Sequence, residues 1–504
     1  MALKLNIQDK FNKELPADPK TENSRRQVTE ACFSFVAPKK TSQAQLMHYS
    51  PEMLKELGLS EEDAKSDAFI NVFTGNEVLP NTKPYAMCYG GHQFGNWAGQ
   101  LGDGRAVLLG EGKGRDLQLK GSGRTPYSRG GDGRAWLGPV LREYVVSEAM
   151  HALNIPTTRA LAAVSTGAPV ARDGMARPGA VLTRIAASHI RVGTFQYFAA
   201  RGEIDKVQKL ANYAIARHYK HLTDEPDRYL KLLTAIVDKQ AQLIAKWMLV
   251  GFIHGVMNTD NTTISGETID YGPCAFIDGY DPAAVFSSID EWGRYAYGKQ
   301  PNIAQWNLAR FAECLLTLID ADESENAVRL ATNELNAFPE IYQNHWLDGM
   351  RAKLGFMTEE PGDETLVNEL YNVMAGQNVD FTLLFRHLGD AVDGNETLIL
   401  ELFDEPSSMV EWLNNWRARL GRDPMKSEAR VQAMNKINPQ KLLNSKWTAV
   451  KPVKKEKHFL VTEVEFDEEG EVIHCLIEAV ISTRSDSIDW KALRDESNWK
   501  QGWK

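Results

Sequence analysis

The sequence predicts an α+β protein in two main parts, a small glycine-rich lobe of strands followed by a larger, mainly helical lobe. Between Met87 and about Ile190, short β-type runs alternate with glycine turns around one helical segment, Pro139 to Leu153. Beyond it helices dominate, and Tyr229 to Met248 has the apolar spacing of a helix with one buried face. Further amphipathic segments are predicted at about 303–320, 324–337 and 363–374. At 504 residues, the chain is expected to form about two to four domains.

These patterns divide the chain into four segments: 1–86, an N-terminal extension; 87–200, the glycine-rich lobe; 201–440, the helical lobe; and 441–504, a small appendage. The appendage holds four of the 12 tryptophans (Trp447, Trp490, Trp499 and Trp503). Its charged run 451–457 predicts a hinge. Two β-type runs follow, Phe459 to Phe466 and Val472 to Ile481, joined as a hairpin through 467–471, and a Trp-rich helical pattern ends the chain.

Composition and charge narrow the class of protein. The net charge of -10 argues against a protein that coats nucleic acid, because that task needs a basic face. The most apolar stretch, Leu243 to Met257, contains Lys246 and is too short to span a bilayer, and residues 1–20 resemble no signal or transit peptide. The five cysteines show no CxxC spacing, which favours a reducing compartment and no zinc site. A cytoplasmic enzyme without nucleic-acid or membrane partners is expected.

Glycines and cations are concentrated in one segment. Of the 38 glycines, 15 lie between Gly90 and Gly138, interleaved with arginines and lysines. Glycine lets backbone N–H groups converge on an anion, and the cations neutralise it. A flexible linker is the alternative, but linkers do not usually contain β-type runs such as Ala106 to Leu109. The pattern therefore favours a nucleotide or another phosphate ligand.

A second informative segment follows the long helix. Asp260 and Asn261 lie in a polar loop, and a turn of the type Asp-aromatic-Gly begins at Asp270. This order is typical of the catalytic half of a kinase-like fold, in which one Asp accepts the nucleophile's proton while an Asn and a second Asp hold the metal. Oxygen ligands suit Mg²⁺. Simple turn chemistry is the alternative for the Asp-Asn pair, and His254 is expected to be structural.

The other half of such a site needs a lysine on a strand and a glutamate on a helix. Lys120 closes the β-type run that begins at Leu117, and Glu143 lies in the first turns of the next helix. Taken separately, each of these two residues would be interpreted as a solvent-exposed charge. Their order before Asp260, Asn261 and Asp270 predicts a two-lobed, protein-kinase-like fold with added N-terminal and C-terminal elements.

Four long motifs carry a family resemblance. They begin with Tyr89-Gly-Gly-His, Leu119-Lys-Gly-Ser-Gly-Arg, Gly131-Asp-Gly-Arg and Asn258-Thr-Asp-Asn. These motifs resemble the selenoprotein O family of kinase-like protein adenylyltransferases, and the match runs from about residue 10 to Pro439. The resemblance implies transfer of AMP from ATP to Ser, Thr or Tyr hydroxyls of other proteins, with Mg²⁺ or Mn²⁺ and with pyrophosphate leaving.

The resemblance also implies roles for individual positions. Asp260 would be the proton acceptor, Asn261 and Asp270 the metal ligands, and Glu143 the partner of Lys120. The implied nucleotide-binding positions are Gly102, Gly104, Arg105, Lys120, Asp132, Gly133, Arg177, Arg184 and Asp270.

Arg177 and Arg184 fall on the family's phosphate-binding pair. The family binds ATP flipped relative to ordinary kinases, so the β- and γ-phosphates become the leaving group. Forked guanidinium groups hold such phosphates well. Because Pro178-Gly179 separates the two arginines, a turn followed by a strand is expected there, and surface salt bridging is the alternative role for the pair.

The chain departs from the family pattern after Pro439. The usual cysteine or selenocysteine near the C-terminus is absent, and the residues from Lys441 onward resemble a small Trp-rich protein of unknown function. Redox control through a terminal cysteine is therefore not expected, and Cys475 is predicted to be a buried free thiol. The alternatives for function are UMP transfer from UTP, γ-phosphoryl transfer by the same site, and a nucleotide-binding pseudokinase scaffold.

Overall fold

A nine-stranded antiparallel sheet dominates the first part of the chain in the computed structural model. The structure describes residues 3–80, 82–424, 430, 434, 446–453, 456–466, 472–480, 482–494 and 498–501. Up to residue 276 the strands are β1 (Ile7–Gln8), β2 (Phe33–Phe35), β3 (Gln45–Tyr49), β4 (Tyr85–Met87), β5 (His92–Gln93), β6 (Asn96–Trp97), β7 (Ala106–Gly112), β8 (Arg115–Lys120), β9 (Ala135–Trp136), β10 (Arg159–Arg172), β11 (Met175–Ala186), β12 (Phe252–Ile253) and β13 (Ala275–Phe276).

The strand order of the sheet is β2-β4-β7-β8-β11-β10-β3, with β1 paired to β7 and β9 paired to β11. Strands β12 and β13 form a separate pair, as do β5 and β6. The first 86 residues, predicted as an extension, therefore contribute β1, β2 and β3 to the same sheet as the glycine-rich segment.

Fourteen α-helices lie within the described residues. They are α1 (Lys10–Glu14), α2 (Pro51–Leu57), α3 (Glu61–Ala64), α4 (Asp67–Thr74), α5 (Leu137–Ala152), α6 (Val192–Ala199), α7 (Ile204–His218), α8 (Arg228–Leu249), α9 (Gln300–Ile319), α10 (Ser324–Leu354), α11 (Asp363–Met374), α12 (Phe381–Val392), α13 (Thr397–Leu400) and α14 (Ser407–Arg422). The predicted helices near 139–153, 229–248, 303–320 and 363–374 are confirmed as α5, α8, α9 and α11, and that at 324–337 lies within the longer α10. The chain is thus a mixed α/β protein with a large antiparallel sheet, while the two-lobed arrangement stays a prediction.

The two faces of the sheet bury different helices. On one face, Phe69 and Phe73 of α4 share a core with Leu117, Leu119 and other strand residues. On the other face, Val140 and Tyr144 of α5 pack with Ala180 and Leu182 of β11. Because side chains alternate along a strand, Gln118 and Lys120 of β8 face α5, as do Leu182 and Arg184 of β11. This alternation positions the site described below.

The chain divides into two compact units. One contains Met1–Arg351, Glu360–Leu384 and Glu401–Trp412, and the other contains Ala352–Glu359, Phe385–Leu400 and Leu413–Lys504. The second unit contains a five-stranded sheet of order β17-β16-β15-β14-β18. Its strands are β14 (Lys446–Val453), β15 (Glu456–Phe466), β16 (Val472–Ala479), β17 (Ser485–Ser487) and β18 (Trp499–Gln501).

The appendage differs in two ways from its prediction. The charged run 451–457 is not a hinge, because its described residues lie on the paired strands β14 and β15. In its described residues the Trp-rich end forms no α-helix: a 3₁₀ turn lies at Trp490–Arg494, and β18 lies at Trp499–Gln501. The two predicted β-type runs are confirmed as β15 and β16, and Trp447, Val461 and Ile477 share a core there. The predicted turn at 467–471 lies outside the described residues.

Candidate active site

Four charged side chains meet between β8, β11, α5 and the turn at Asp270. Lys120 Nζ lies 2.6 Å from Glu143 Oε2 and 2.5 Å from Asp270 Oδ1. Arg184 Nη1 lies 3.1 Å from Glu143 Oε1 and 2.6 Å from Asp270 Oδ1. Two carboxylates and two cations thus alternate around one ring, which we call the ion cluster. The structure brings together four residues that the sequence analysis singled out from distant parts of the chain.

Asp270 is held in its charged form. Its backbone has φ of 62°, in the left-handed region that an aspartate tolerates better than most residues. Burial is the largest influence and raises the pKa of Asp270, but the cations Lys120, Arg184 and Arg191 together outweigh it and hold the pKa well below its usual range. The carboxylate is therefore ionised at neutral pH.

Arg191 joins the ion cluster to the loop that contains Asp260. Its Nη1 donates to the backbone carbonyl of Asp260 at 3.2 Å and lies 3.6 Å from Asp270 Oδ2. Its guanidinium lies 4.4 Å from the centre of the Tyr89 ring. The sequence analysis missed this residue. Its apolar neighbours Ile190 and Val192, which predict a buried position, were the available signal.

A chain of hydrogen bonds ties the glycine-rich turn to the ion cluster. Asp103 Oδ2 accepts from the backbone of Met87 at 3.0 Å and from Gln118 Nε2 at 3.2 Å. Gln118 Oε1 in turn accepts from Arg184 Nε at 3.0 Å. Asp103 and Gln118 are further residues that sequence reasoning missed, because only the fold brings them next to Arg184.

Asp260 lies in a 3₁₀ turn, Thr259–Asn261, against the β5–β6 hairpin. The backbone N–H of His92 donates to Thr259 Oγ1 at 2.7 Å, and Gln93 Nε2 donates to Asp260 Oδ2 at 3.2 Å. The other carboxylate oxygen, Asp260 Oδ1, is buried and has no hydrogen-bond partner within the described residues. Burial raises the pKa of Asp260 to about 6, although Arg191 and the Gln93 hydrogen bond act in the opposite direction.

Asn261 lies in the lining of the cavity that also contains the ion cluster. Its Nδ2 donates to the carbonyl of Val256 at 2.9 Å, so the side-chain oxygen remains for a ligand. Asn261 and Asp270 both line the cavity described next. Among the described residues, this site included, no group of three or more His, Cys, Asp or Glu side chains is arranged to hold a metal ion.

A cavity of about 860 Å³ opens over the ion cluster. Its lining includes the predicted residues Gly102, Gly104, Arg105, Lys120, Asp132, Gly133, Glu143, Arg184, Asn261 and Asp270. Its cations are Arg105, Lys120, Arg124, Arg129, Arg134, Arg172, Arg184 and Arg191, and its acids are Asp103, Asp132, Glu143 and Asp270. Eight cations against four acids make the cavity positive in a chain whose net charge is -10.

At three of the predicted glycines a larger residue would clash with neighbouring protein atoms. Gly102 has φ of 86°, and a Cβ there would lie 2.5 Å from the Tyr127 ring. A Cβ on Gly104 would lie 2.9 Å from the Tyr127 carbonyl oxygen, and one on Gly133 would lie 2.1 Å from the Gly123 carbonyl oxygen. These glycines let the cavity-lining turns pack closely on one another.

Asp132 is tied to an arginine that the sequence analysis did not name. Arg172 Nη1 and Nη2 each donate to its carboxylate at 2.9 Å. These hydrogen bonds are the largest influence on Asp132 and lower its pKa to about 2. The pair connects the glycine-rich turn at 128–134 to the end of β10.

Arg177 and Arg184 do not occur as a pair in the structure. They lie seven residues apart on the continuous strand β11, a separation of about 23 Å. The predicted turn at Pro178-Gly179 is therefore wrong, and the turn lies at Asp173-Gly174 between β10 and β11. The Arg177 guanidinium lies 4.6 Å from the Trp136 ring, and Arg177 is not among the residues that line the cavity.

His254 and the cysteines serve the packing. His254 Nε2 donates to the carbonyl of Ile269 at 2.8 Å, and its ring stacks on Trp247, which fixes the chain just before Asp270. All five cysteines, including Cys475, are free and buried. Among the described helices, none is long and apolar enough to cross a bilayer.

The sheet and the cationic cavity, with a lysine-glutamate pair and a loop Asp-Asn, fit a nucleotide-dependent transferase. The chain matches the family described as Protein adenylyltransferase SelO over residues 18–462, and residues 445–504 match the Tryptophan-rich protein family (DUF2389). The chain belongs to the SelO family and carries a Trp-rich domain at its C-terminus.

Two bacterial relatives agree with the assignment to this family. The Protein nucleotidyltransferase YdiU of Rhizobium rhizogenes is 57% identical over 426 residues, 83% of this chain and 84% of the relative. The protein of the same name from Cereibacter sphaeroides is 56% identical over 397 residues, 78% of this chain and 81% of the relative. The chain is therefore an enzyme of the nucleotidyltransferase class.

Proposed function

We propose that this protein transfers AMP from ATP to Ser, Thr or Tyr hydroxyls of other proteins and releases pyrophosphate. The observation that carries the proposal is the cavity with eight cations and four acids in a chain of net charge -10. Such an excess suits a ligand with several phosphates. Membership of the SelO family supports a nucleotide as that ligand.

The residues take their proposed roles in a two-lobed, kinase-like arrangement. Lys120, oriented by Glu143, contacts phosphate, as the equivalent pair does in kinases. Gly102, Gly104, Arg105, Asp132 and Gly133 line the cavity and contribute to the nucleotide site. Arg184 holds the leaving pyrophosphate together with Lys120. Arg177 lies outside the lining, and its part in the nucleotide site stays a prediction.

The donor set fits a divalent metal. Asn261 and Asp270 offer two oxygen atoms at the cavity, and Mg²⁺ or Mn²⁺ takes few protein ligands when phosphates and water complete its shell. When bound, the ion would neutralise negative charge on the phosphates. Asp270 already contacts Lys120 and Arg184, so a bound metal ion would share its carboxylate with these cations.

The proton of the acceptor goes to Asp260. Its Oδ1 is buried and has no partner, while Gln93 holds Oδ2. The hydroxyl oxygen bonds to the α-phosphorus, the bond from that phosphorus to the bridging oxygen of the β-phosphate breaks, and the electron pair leaves with pyrophosphate. A base with a pKa of about 6 is ionised at neutral pH yet still accepts a proton.

The compartment and the partners of the enzyme are proposed from the same chain. Five free, buried cysteines suit a reducing compartment, so we place the enzyme in the cytoplasm. Its partners are then ATP and protein substrates. No nucleic-acid or membrane partner is proposed.

The proposal is tested by incubating the protein with protein substrates and ATP labelled at the α- or the γ-phosphate, with labelled UTP in parallel. Label from α-labelled ATP is expected to enter protein, and γ-label is not. Entry of γ-label would show phosphoryl transfer, preferential entry from UTP would show UMP transfer, and nucleotide binding without entry of any label would show a scaffold. Each of these three results contradicts the proposal.

A further inference from the structure

A second cavity lies next to the β5–β6 hairpin, with Phe94 and Asn96 in its lining. It has a volume of about 500 Å³, and Phe94, Ile289, Trp292 and Arg294 are among its lining residues. We call it the acceptor groove. The proposed nucleotide site does not use it.

One wall of the groove is a long loop without helix or strand, residues 280–296. Loops longer than about 12–15 residues without secondary structure of their own are uncommon in compact domains and often functional. The exposed fractions of Phe286, Ile289 and Trp292 on this loop are 47%, 69% and 90%. Large apolar side chains concentrated on one exposed segment are typical of a surface that another molecule covers.

The loop is nevertheless held firmly next to the catalytic loop. Asp290 accepts the backbone N–H groups of Arg294 and Tyr295, both at 2.8 Å. The buried Tyr295 hydroxyl donates to Asn258 Oδ1 at 2.7 Å, two residues before Asp260. A molecule in the groove would therefore bind to a surface that these hydrogen bonds already order.

The opposite wall also leads to Asp260. The backbone N–H of Phe94 donates to Asn258 Oδ1 at 3.1 Å, and its neighbour Gln93 donates to Asp260 Oδ2 at 3.2 Å. The two walls thus converge on Asn258, next to the side chain that is proposed to accept the proton. A substrate segment in this groove would bring a hydroxyl close to Asp260.

The lining of the groove holds two cations, Arg294 and Lys299, and two acids, Asp290 and Glu291. Arg294 stacks on the Trp306 ring at 4.7 Å, and within the described part of the chain no carboxylate lies within 4.0 Å of its guanidinium or of Lys299. Its Nε is buried without a hydrogen-bond partner. Of the two acids in the lining, Asp290 is buried and accepts backbone N–H groups, whereas Glu291 is exposed. Arg294 is therefore the cation that a ligand carboxylate would meet.

We propose that the acceptor groove binds the segment of a protein substrate that carries the acceptor hydroxyl, and that it selects segments with an Asp or Glu near that hydroxyl and a large apolar side chain. The carboxylate pairs with Arg294, and the apolar side chain packs on Ile289 and Trp292. This inference rests on the proposed AMP transfer and adds the kind of protein segment that is modified.

The test uses peptides with a single Ser, one Leu and either Glu, Gln or Lys scanned through the flanking positions. Incorporation of label from α-labelled ATP is measured as kcat/KM. The wild-type protein is expected to prefer the best Glu peptide over its Gln counterpart about tenfold, the worth of one charge-assisted hydrogen bond. Arg294→Glu is expected to reverse the order in favour of Lys peptides, and Arg294→Lys to keep the preference for Glu.

Two further variants keep the result interpretable. Trp292→Ala is expected to raise KM for every peptide without changing the affinity for ATP. Arg329→Glu, an exposed change on α10, is expected to leave the charge preference as it is. ATP affinity and the thermal midpoint of each variant show that the fold is intact.

Three results would overturn the inference. The first is an unchanged charge preference in Arg294→Glu. The second is labelling of intact proteins without labelling of any peptide, since the groove would then not read a local segment. The third is a concentration-dependent dimer in sedimentation that Trp292→Ala abolishes, which would assign the surface to a second copy of the chain. If neither proteins nor peptides take up α-label, the proposed AMP transfer itself fails.

Discussion

Asp270 and Asp260, two of the carboxylates of the candidate site, lie in opposite electrostatic surroundings. Asp270 is bound by Lys120 and Arg184, with Arg191 nearby, and its pKa is held well below the usual range. Asp260 has one oxygen without a partner and a pKa raised to about 6. Asp270 therefore stays charged, whereas Asp260 can exchange a proton near neutral pH. The difference shows how the surroundings of two chemically identical side chains set different pKa values and suit them to different roles.

The largest effect is expected from Asp270→Ala. The change leaves three cations without their shared carboxylate, so transfer of α-label should fall more than about 1,000-fold, and the free energy of unfolding should fall by about 3 kcal/mol, because breaking a buried pair strands its partners. Labelling assays and urea denaturation measure the two effects. Asp322→Ala, in an exposed turn, is the matched control and should change neither. Full activity in Asp270→Ala would remove this residue from the site.

Asp260→Asn is expected to separate activity from stability. Loss of the base should slow transfer about 100- to 1,000-fold. Stability should move the other way, since a carboxyl whose pKa is raised from 3.8 to about 6 by folding costs stability once it is ionised. The variant should match the wild-type protein near pH 4 and exceed it by about 1 to 3 kcal/mol at pH 8. Urea denaturation at several pH values measures this, and a variant less stable at pH 8 would contradict the assignment.

Gln93→Leu sharpens the same comparison with a smaller effect. The Gln93 hydrogen bond lowers the pKa of Asp260, so its loss should raise that pKa and move the acid limb of the rate profile to higher pH. At pH 6.5 the rate should fall about tenfold. Gln343→Leu, at a half-buried position of α10 where the side chain donates to Glu364, is the control and should leave the limb in place. An unmoved limb in Gln93→Leu would mean that Gln93 does not position the base.

Arg172→Ala should weaken the nucleotide site only slightly. The Arg172–Asp132 pair is partly exposed, and such pairs contribute little to stability, so the free energy of unfolding should change by less than about 1 kcal/mol. Because the pair anchors the cavity turn at 128–134, KM for ATP should rise about threefold. Titration with ATP measures the change, and an increase as large as that of Lys120→Ala would show direct contact with phosphate.

The smallest effect is expected from removal of the Trp-rich domain. A chain ending at Asn444 should keep ATP affinity within about twofold, since the cavity lining lies between Tyr89 and Pro273, far from the deleted strands in sequence. Equilibrium ATP binding is the readout. If ATP binding were lost and then restored by adding the separate Trp-rich domain, that domain would be needed for the nucleotide site.

The sequence could predict the parts of the site that sit in local motifs. Lys120 ends a strand, Glu143 lies in the second turn of α5 and Asp270 begins an Asp-aromatic-Gly turn, so local pattern and order sufficed to group them. The sequence could not predict the roles of Arg191, Gln93 and Arg172 in the same way. The partner of Arg191 and Gln93 is Asp260 and that of Arg172 is Asp132, and only the folded chain brings these residues together.

The errors have physical causes as well. The charged run 451–457 looks like a hinge, yet charged side chains can alternate with apolar ones on a half-exposed strand, as in β14 and β15. At Pro178-Gly179 the breaker signal was overridden, since β11 pairs with β10 and β9 on either side of that position. Tertiary pairing decided both cases.

One measurement tests the account most directly: incorporation of α-label and γ-label from ATP into protein, followed from pH 5 to pH 8 in the wild-type protein and in Asp260→Asn, with ATP affinity measured at each pH. The account predicts α-label alone, rising through a pKa of about 6 in the wild-type protein and remaining low and flat in the variant. Incorporation of γ-label, or the same acid limb in both proteins at constant ATP affinity, would contradict it.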